Sequence, residues 1–328
     1  MIKNRIQAFD VAKAIAIFAV ILTHCAGRIG GMQELRCFIE TFYLSMFFVI
    51  SGYFTSFSKL GLLPIKKNIF EKFKRLIIPF ISIIMLSFII DMIKDGCFNF
   101  GEVFIDDAKG GYWFIYVLFI FNMVFFLQYL IIRKCGVSNM LWQCFILVFP
   151  WFIIVFLCSS LSQSLIASLS LYSCRRYYLF FILGWFLKSS NIFVYILNSR
   201  ILKAIIGLGY ILMSVIFVKF IKDVITNTDF LFWFFTNILG TCFWLTLLMS
   251  IEERINDYPV FLLSIGQNSL GIYLFHYLFL FAIVIFPPGI NKYIHLLLAS
   301  IIILLATYCL IRLIKTNNLL SKLLLGNS

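Results

Sequence analysis

Lys13 and His24 stand in the stretch DVAKAIAIFAVILTH with ten residues between them, nine apolar and the tenth Thr23. A neutral imidazole can take the proton of a hydroxyl, or act as a nucleophile itself. An ammonium can hold a phosphate as a point charge. On an α-helix, eleven residues bring the chain back to within about 20° of its starting direction and advance it by roughly 16–17 Å. One helical face would thus carry a cation near one end and a titratable base most of the way along. Ionisable groups in a membrane-length apolar run are costly and mark function by default. Ordinary readings stand beside this one. Lys13 can snorkel to the interface, Asp10 three residues earlier can pair with it, and a lone His is commonly a hydrogen-bonded structural residue. A His that shares a face with a Lys is harder to dismiss.

A second polar set lies in GQNSLGIYLFHYLFL, with Asn268, Ser269, Tyr273 and His276. On a straight α-helix, Asn268 and His276 sit about 80° apart and Ser269 falls within about 20° of His276. Such a strip can serve a site, and it can equally supply the hydrogen bonds that join helices in membranes. His295, near the outer end of the last apolar run, reads as an interface residue. In FFVISGYF, Ser51-Gly52 lets another helix approach closely, so packing is the leading reading. In GGYWFIYVLF, Tyr112 and Trp113 suit a membrane boundary.

These residues need apolar elements to hold them, and the composition supplies little else. The 328-residue chain is 62% hydrophobic and 12% charged, with a mean hydropathy of +1.03. Soluble domains run near 45–50% apolar and about 25% charged, so the expected fold is an all-α polytopic membrane protein. Ten runs approach the roughly 20 residues a span requires: 8–27, 38–57, 76–93, 113–132, 140–159, 176–188, 201–218, 230–250, 259–286 and 293–313. The sixth is the weakest, and SLIASLSLYSCRR before it suggests a broken or re-entrant piece. The ninth is long, ends at Pro287-Pro288 and reads as tilted. The first run has a signal-peptide outline, KNR before and CAG after. A second span follows soon after, and a cleaved signal has no use for Asp10, Lys13 and His24, so it reads as a retained helix.

Net charge is +13, but the basic residues are spread along short loops, which argues against nucleic acid. Placed on ten spans, 17 of the 27 Lys and Arg fall on the side of both termini, 9 on the other, and Lys13 within the first span. That bias puts both termini in the cytoplasm. The 58–75 loop, with KKNIFEKFKR, carries most of it. The 94–112 loop, with Asp95, Glu102, Asp106 and Asp107, faces out. Nine cysteines without a CxxC pair point to no metal site and no disulfide framework. With no internal repeat and no linker, residues 1–328 read as one domain.

Taken together, the motifs resemble the membrane acyltransferase 3 family. They are the Arg5, Asp10, Lys13, His24 series, the FxxSG element (Phe48, Ser51, Gly52), and KRLIIP from Lys74 to Pro79. Trp113-Phe114, Phe180 with Gly184, and NSLGIYLFH complete the series. The resemblance runs from about residue 5 to 314. Lys13 stands where many members have Arg. FYLSMFF stands where many have FHMPLFF, so Tyr43 and Ser45 replace His and Pro.

The resemblance implies an O-acyltransferase of the bacterial cytoplasmic membrane with no bound cofactor. It would move an acyl group, usually acetyl, from cytoplasmic acyl-CoA to an extracytoplasmic glycan or lipid-linked saccharide. His24 would be the general base, with Lys13 and Asp10 in the catalytic set. Lys13, Lys72, Lys74 and Arg75 would draw the CoA phosphates. Arg5, Ser51, Trp113, Asn268, Ser269, Tyr273 and His276 would support the site or bind substrate. The competing reading is a transporter or flippase for a polar lipid or sugar conjugate. Transporters often pair broken helices at matching places in two halves, and the sequence offers only the sixth span as broken.

Overall fold

The computed structural model describes residues 6–61, 64–95, 100–190, 192–221, 227–255, 257–286 and 289–326. Among these, every regular element is a helix. Among the described residues, eight helices are long and apolar enough to cross a membrane, and up to ten spans result if two bent pairs each count as one. The protein is thus an all-α, multi-pass membrane protein. The backbone groups into two compact units, one of Met1–Ile50 with Leu187–Leu313 and one of Ser51–Phe186 with Ile314–Ser328.

The first unit is built on the helix Gln7–Ile29. It has no Pro, and no Gly until Gly27, so nothing interrupts it. Gly30 ends it at φ 80°, a conformation glycine adopts without a Cβ clash, and its N–H bonds Ala26 O at 3.0 Å. Ala8, Ala12 and Ala16 recur every four residues and are fully buried. Small side chains at that spacing let neighbouring backbones come close, the usual route to tight helix packing in lipid. The neighbour is the helix Val260–Gln267. A Cβ on Gly266 would fall on the carbonyl oxygen of Asp10, so only glycine fits there.

Ser45, in FYLSMFF, is fully buried in this unit. Its hydroxyl donates to Asn237 Oδ1 at 2.8 Å and lies 3.0 Å from Thr241 Oγ1. These bonds make an interhelical polar knot.

The second unit answers the packing expectation for Ser51-Gly52. A Cβ on Gly52 would fall on the carbonyl oxygen of Phe181. The KRLIIP entry is also structural. The backbone widens to a π-turn over Phe73–Ile77, where the carbonyl of Arg75 would otherwise await the N–H of residue 79. Residue 79 is proline and has none. A Cβ on Gly326 (φ 65°) would come within 2.7 Å of that oxygen. Lys109 (φ 49°) is almost fully buried. Its ammonium donates to the carbonyls of Phe104, Asp106 and Ala167 at 3.1, 2.6 and 2.8 Å. Burial pulls its pKa down, while Asp107 and Asp106 oppose that shift.

Two spans differ from their sequence reading. The ninth is not a tilted rod. It breaks at Asn268, with a 62° bend between Val260–Gln267 and Ser269–Ile285. From His276 to Ile285 it continues as a 3₁₀-helix. Asn268 holds the break by donating its side-chain amide to Ser264 O at 2.6 Å, the local bond through which Asn competes with helix. The Pro287-Pro288 end lies outside the described residues. In the sixth, LYSCRR belongs to the helix Leu171–Ser189. Its bend lies after that helix, between Leu171–Ser189 and Ile192–Asn198, while Ser170 (φ 49°) and the short helix Gln163–Ser168 precede it. Two spans are therefore bent, where the sequence offered one.

Candidate active site

The first helix is anchored at its start by a carboxylate. The free N–H groups of Gln7 and Ala8 donate to Glu252 Oε1 and Oε2 at 3.0 and 2.9 Å. Negative charge at a helix N-terminus meets both the unpaired donors and the helix dipole. The Gln7 side chain reaches Asp257 Oδ1 at 2.6 Å and receives the Tyr258 N–H at 2.8 Å. Burial, with Glu252 nearby, pushes the Tyr258 phenol up to about 12, so it stays protonated and donates to Leu248 O at 2.5 Å.

One turn into the helix, Asp10 is buried and pairs with Lys13, Oδ1 to Nζ, at 2.7 Å. The pair expected from the i, i+3 spacing is formed. The Lys13 side chain remains 23% exposed. An ammonium has three N–H donors, and one engaged with Asp10 leaves two for an anion. Arg5 lies outside the described residues.

The helix is unbroken between Lys13 and His24, so the shared face and the roughly 16–17 Å separation follow from helix geometry. At the far end His24 meets the 3₁₀ segment. Its ring centroid lies 5.2 Å from that of His276 and 4.9 Å from that of Tyr277. His24 Nε2 and the Tyr277 hydroxyl are 3.1 Å apart, within hydrogen-bond reach. The His276 and Tyr277 rings lie 4.3 Å apart. His276 Nδ1 is 2.7 Å from the Tyr273 carbonyl. A carbonyl only accepts, so Nδ1 carries the proton and Nε2 bears the lone pair. That Nε2 is buried and has no hydrogen-bond partner among the described residues. Arg28 and Arg36 bring positive charge within electrostatic reach of His24, and the Arg36 guanidinium lies over Gly27.

The structure thus brings His24, His276 and Tyr273 together, and adds Tyr277, Arg28 and Arg36. At 100° per residue the sequence does not single out Tyr277. A 3₁₀-helix turns 120°, so side chains three apart eclipse. Leu280 and Ile283 are buried in line with Tyr277, while Phe281 and Val284 point outward. The repeat of three heads its inward column with Tyr277. The helical-wheel angle from Asn268 to His276 does not survive, because the helix breaks at Asn268, whereas Ser269 opens the helix Ser269–Phe275 that leads directly to His276. Ser269 is buried at the start of the following helix. His295, read as an interface residue, bonds the Ile283 carbonyl through Nε2 at 2.8 Å and steadies the 3₁₀ segment.

The remaining candidates belong to the second unit and are described there alone. Trp113 stacks on Tyr177 at 5.4 Å between ring centroids. The Ser51 carbonyl accepts from Thr55 Oγ1 at 2.9 Å. Lys74 and Arg75 are exposed, Lys72 half-buried, and Lys74 Nζ sits 4.5 Å over the Phe70 ring.

The arrangement at His24 is a base within reach of a hydroxyl, on a helix that also carries an anchored cation. That combination suits transfer of a group from an anionic donor to a hydroxyl. A search of curated proteins and a search of solved structures give no significant match. The family profile described as an acyltransferase domain matches residues 6–320, nearly the whole chain. The chain therefore belongs to the acyltransferase 3 family and is a membrane-bound acyltransferase.

Proposed function

We propose that the protein takes an acyl group, most simply acetyl, from cytoplasmic acyl-CoA and transfers it to a hydroxyl of an extracytoplasmic envelope glycan or lipid-linked saccharide. The observation that carries this reading is the unbroken first helix, with Lys13 and His24 on one face. CoA is a polyanion on a long thin arm. Its phosphates stay at the Lys13 end, where Asp10 holds the ammonium in place; Lys72, Lys74 and Arg75, in the second unit, are further candidate phosphate contacts. The arm carries the thioester along the helix to His24. Both termini lie in the cytoplasm and the membrane is the bacterial inner membrane, in keeping with the bias of Lys and Arg.

At His24 the chemistry is general-base transfer. The imidazole accepts the acceptor's proton as its oxygen attacks the thioester carbonyl, a contribution typically worth about 10²–10⁴-fold. Gly266, too small to push the first helix away from Val260–Gln267, helps fix the level of His24 against His276. The bend at Asn268 fits an acyltransferase as well as a transporter, and family membership decides for the enzyme. Mass spectrometry of envelope glycans with and without the gene tests the reading. One acyl mass lost on deletion and restored by the wild-type chain, but not by His24→Ala, is the expected result. Glycans of unchanged mass would overturn it.

A further inference from the structure

Resting on that reading, we propose that Tyr277 is a further catalytic residue, which relays the acceptor's proton to His24. The geometry is that of a base and its immediate proton source. The Tyr277 hydroxyl is 3.1 Å from His24 Nε2, within the 2.6–3.2 Å at which such transfers occur. In the tautomer of His24 that can act as base here, with the lone pair on Nε2, the phenol donates to it and an incoming hydroxyl finds the base already occupied. It meets the phenol oxygen, which can accept one proton while passing on another.

Tyr277 lies in an apolar run, HYLFLFAIVI. It is half-buried, whereas His276 beside it is completely buried, so the phenol is the more accessible of the two. His276 supplies the complement. Its Nδ1–H is fixed on the Tyr273 carbonyl, and its bare Nε2 is a buried acceptor against both rings. When His24 takes a proton it gains a positive charge. A lone pair held at that place by a backbone carbonyl is an oriented dipole for it.

The step balances as follows. The acceptor hydroxyl gives its proton to Tyr277 Oη as the phenol proton moves to His24 Nε2. The acceptor oxygen bonds to the acyl carbon. The carbon–sulfur bond breaks, its electron pair staying on sulfur. The imidazolium proton returns to that sulfur, leaving CoA thiol, ester, neutral His24 and the Tyr277 phenol.

The experiment compares wild type, Tyr277→Phe and His24→Ala in native membranes. Acetyl-CoA is the donor probe and the cell's own envelope glycan fraction the acceptor. Tyr277→Phe should lower kcat by about 10²-fold, with KM for acetyl-CoA and the melting temperature unchanged. In mixed light and heavy water, the wild-type rate should bow downward with deuterium content, as two moving protons require. Fluorotyrosine at 277 keeps ring and hydroxyl and changes only phenol acidity, so it should alter kcat without altering KM or stability. Wild-type kcat in Tyr277→Phe, or a rate indifferent to fluorination, would overturn the relay. An active His24→Ala enzyme would instead overturn the underlying base assignment, which separates the two failures.

Discussion

The α-carbon of Gly266 faces the backbone carbonyl of Asp10 so closely that a side chain of any size would overlap that oxygen. One missing methyl group thus sets the position of the helix that carries both Lys13 and His24. Overpacking a fitted contact costs about 1–3 kcal/mol where neighbours can shift, and here the obstacle is backbone. Gly266→Ala should lower the thermal midpoint in detergent and remove acyl transfer together. A variant that keeps both, measured by melting and by thiol release from acetyl-CoA, would show that the approach does not matter.

His24→Ala should lose about 10²-fold or more in acyl transfer while inserting into the membrane and eluting as wild type does. Full glycan acylation by that variant would end the role given to His24.

Lys13 is predicted to act through charge and through Asp10. Lys13→Arg should retain most activity, because a guanidinium can bond both a carboxylate and a phosphate. Lys13→Ala should raise KM for acyl-CoA and remove the Lys13 ion pair of the buried Asp10, lowering the thermal midpoint. The check is a donor titration alongside a melting curve. An unchanged KM in Lys13→Ala would sink the phosphate-docking role.

Glu252→Ala removes the acceptor of the first two N–H groups of the first helix. Loss of a cap costs about 1 kcal/mol, within a range of 0.5–2. The expected outcome is a lower thermal midpoint with KM and kcat nearly retained. Glu252→Gln, which keeps one oxygen acceptor, should fall between the two.

In the second unit, Lys109→Met should be among the more damaging changes outside the spans. It leaves the Phe104, Asp106 and Ala167 carbonyls without their shared donor. Each buried group left unsatisfied costs about 1–3 kcal/mol. Limited proteolysis near residues 104–110 should report the loosening. Equal protease resistance in the variant would count against the staple.

The first helix could be read almost completely in advance, because a run free of Pro with costly residues eleven apart admits few arrangements. Lys13, Asp10 and His24 stand along it as their spacing required. What lay beyond sequence were relations between elements far apart in the chain. Glu252 reaches Gln7 across 245 positions, and Gly266 meets Asp10 only because the backbones cross there. The ninth span misled for a local reason. Its apolar run carries no mark that distinguishes 100° from 120° per residue, and Asn268 offers two hydrogen-bonding choices, of which the break is one. Tyr277 was hidden by that ambiguity. Lys109 was hidden because a surface-looking Lys in a short loop gives no sign that three carbonyls converge on it.

The winding of HYLFLFAIVI also sets a length. Ten residues of 3₁₀-helix rise about 2.0 Å each and cover about 20 Å. The same ten wound as an α-helix would cover about 15 Å. His276 and Tyr277 stand at one end of this stretched segment, and the far end is held by His295 on the Ile283 carbonyl. The segment therefore behaves as a ruler. Removing one residue would shorten it by about 2 Å and turn everything beyond by about 120°, rotating Leu280 and Ile283 out of the column that Tyr277 heads. Removing three would keep the column and cost only reach.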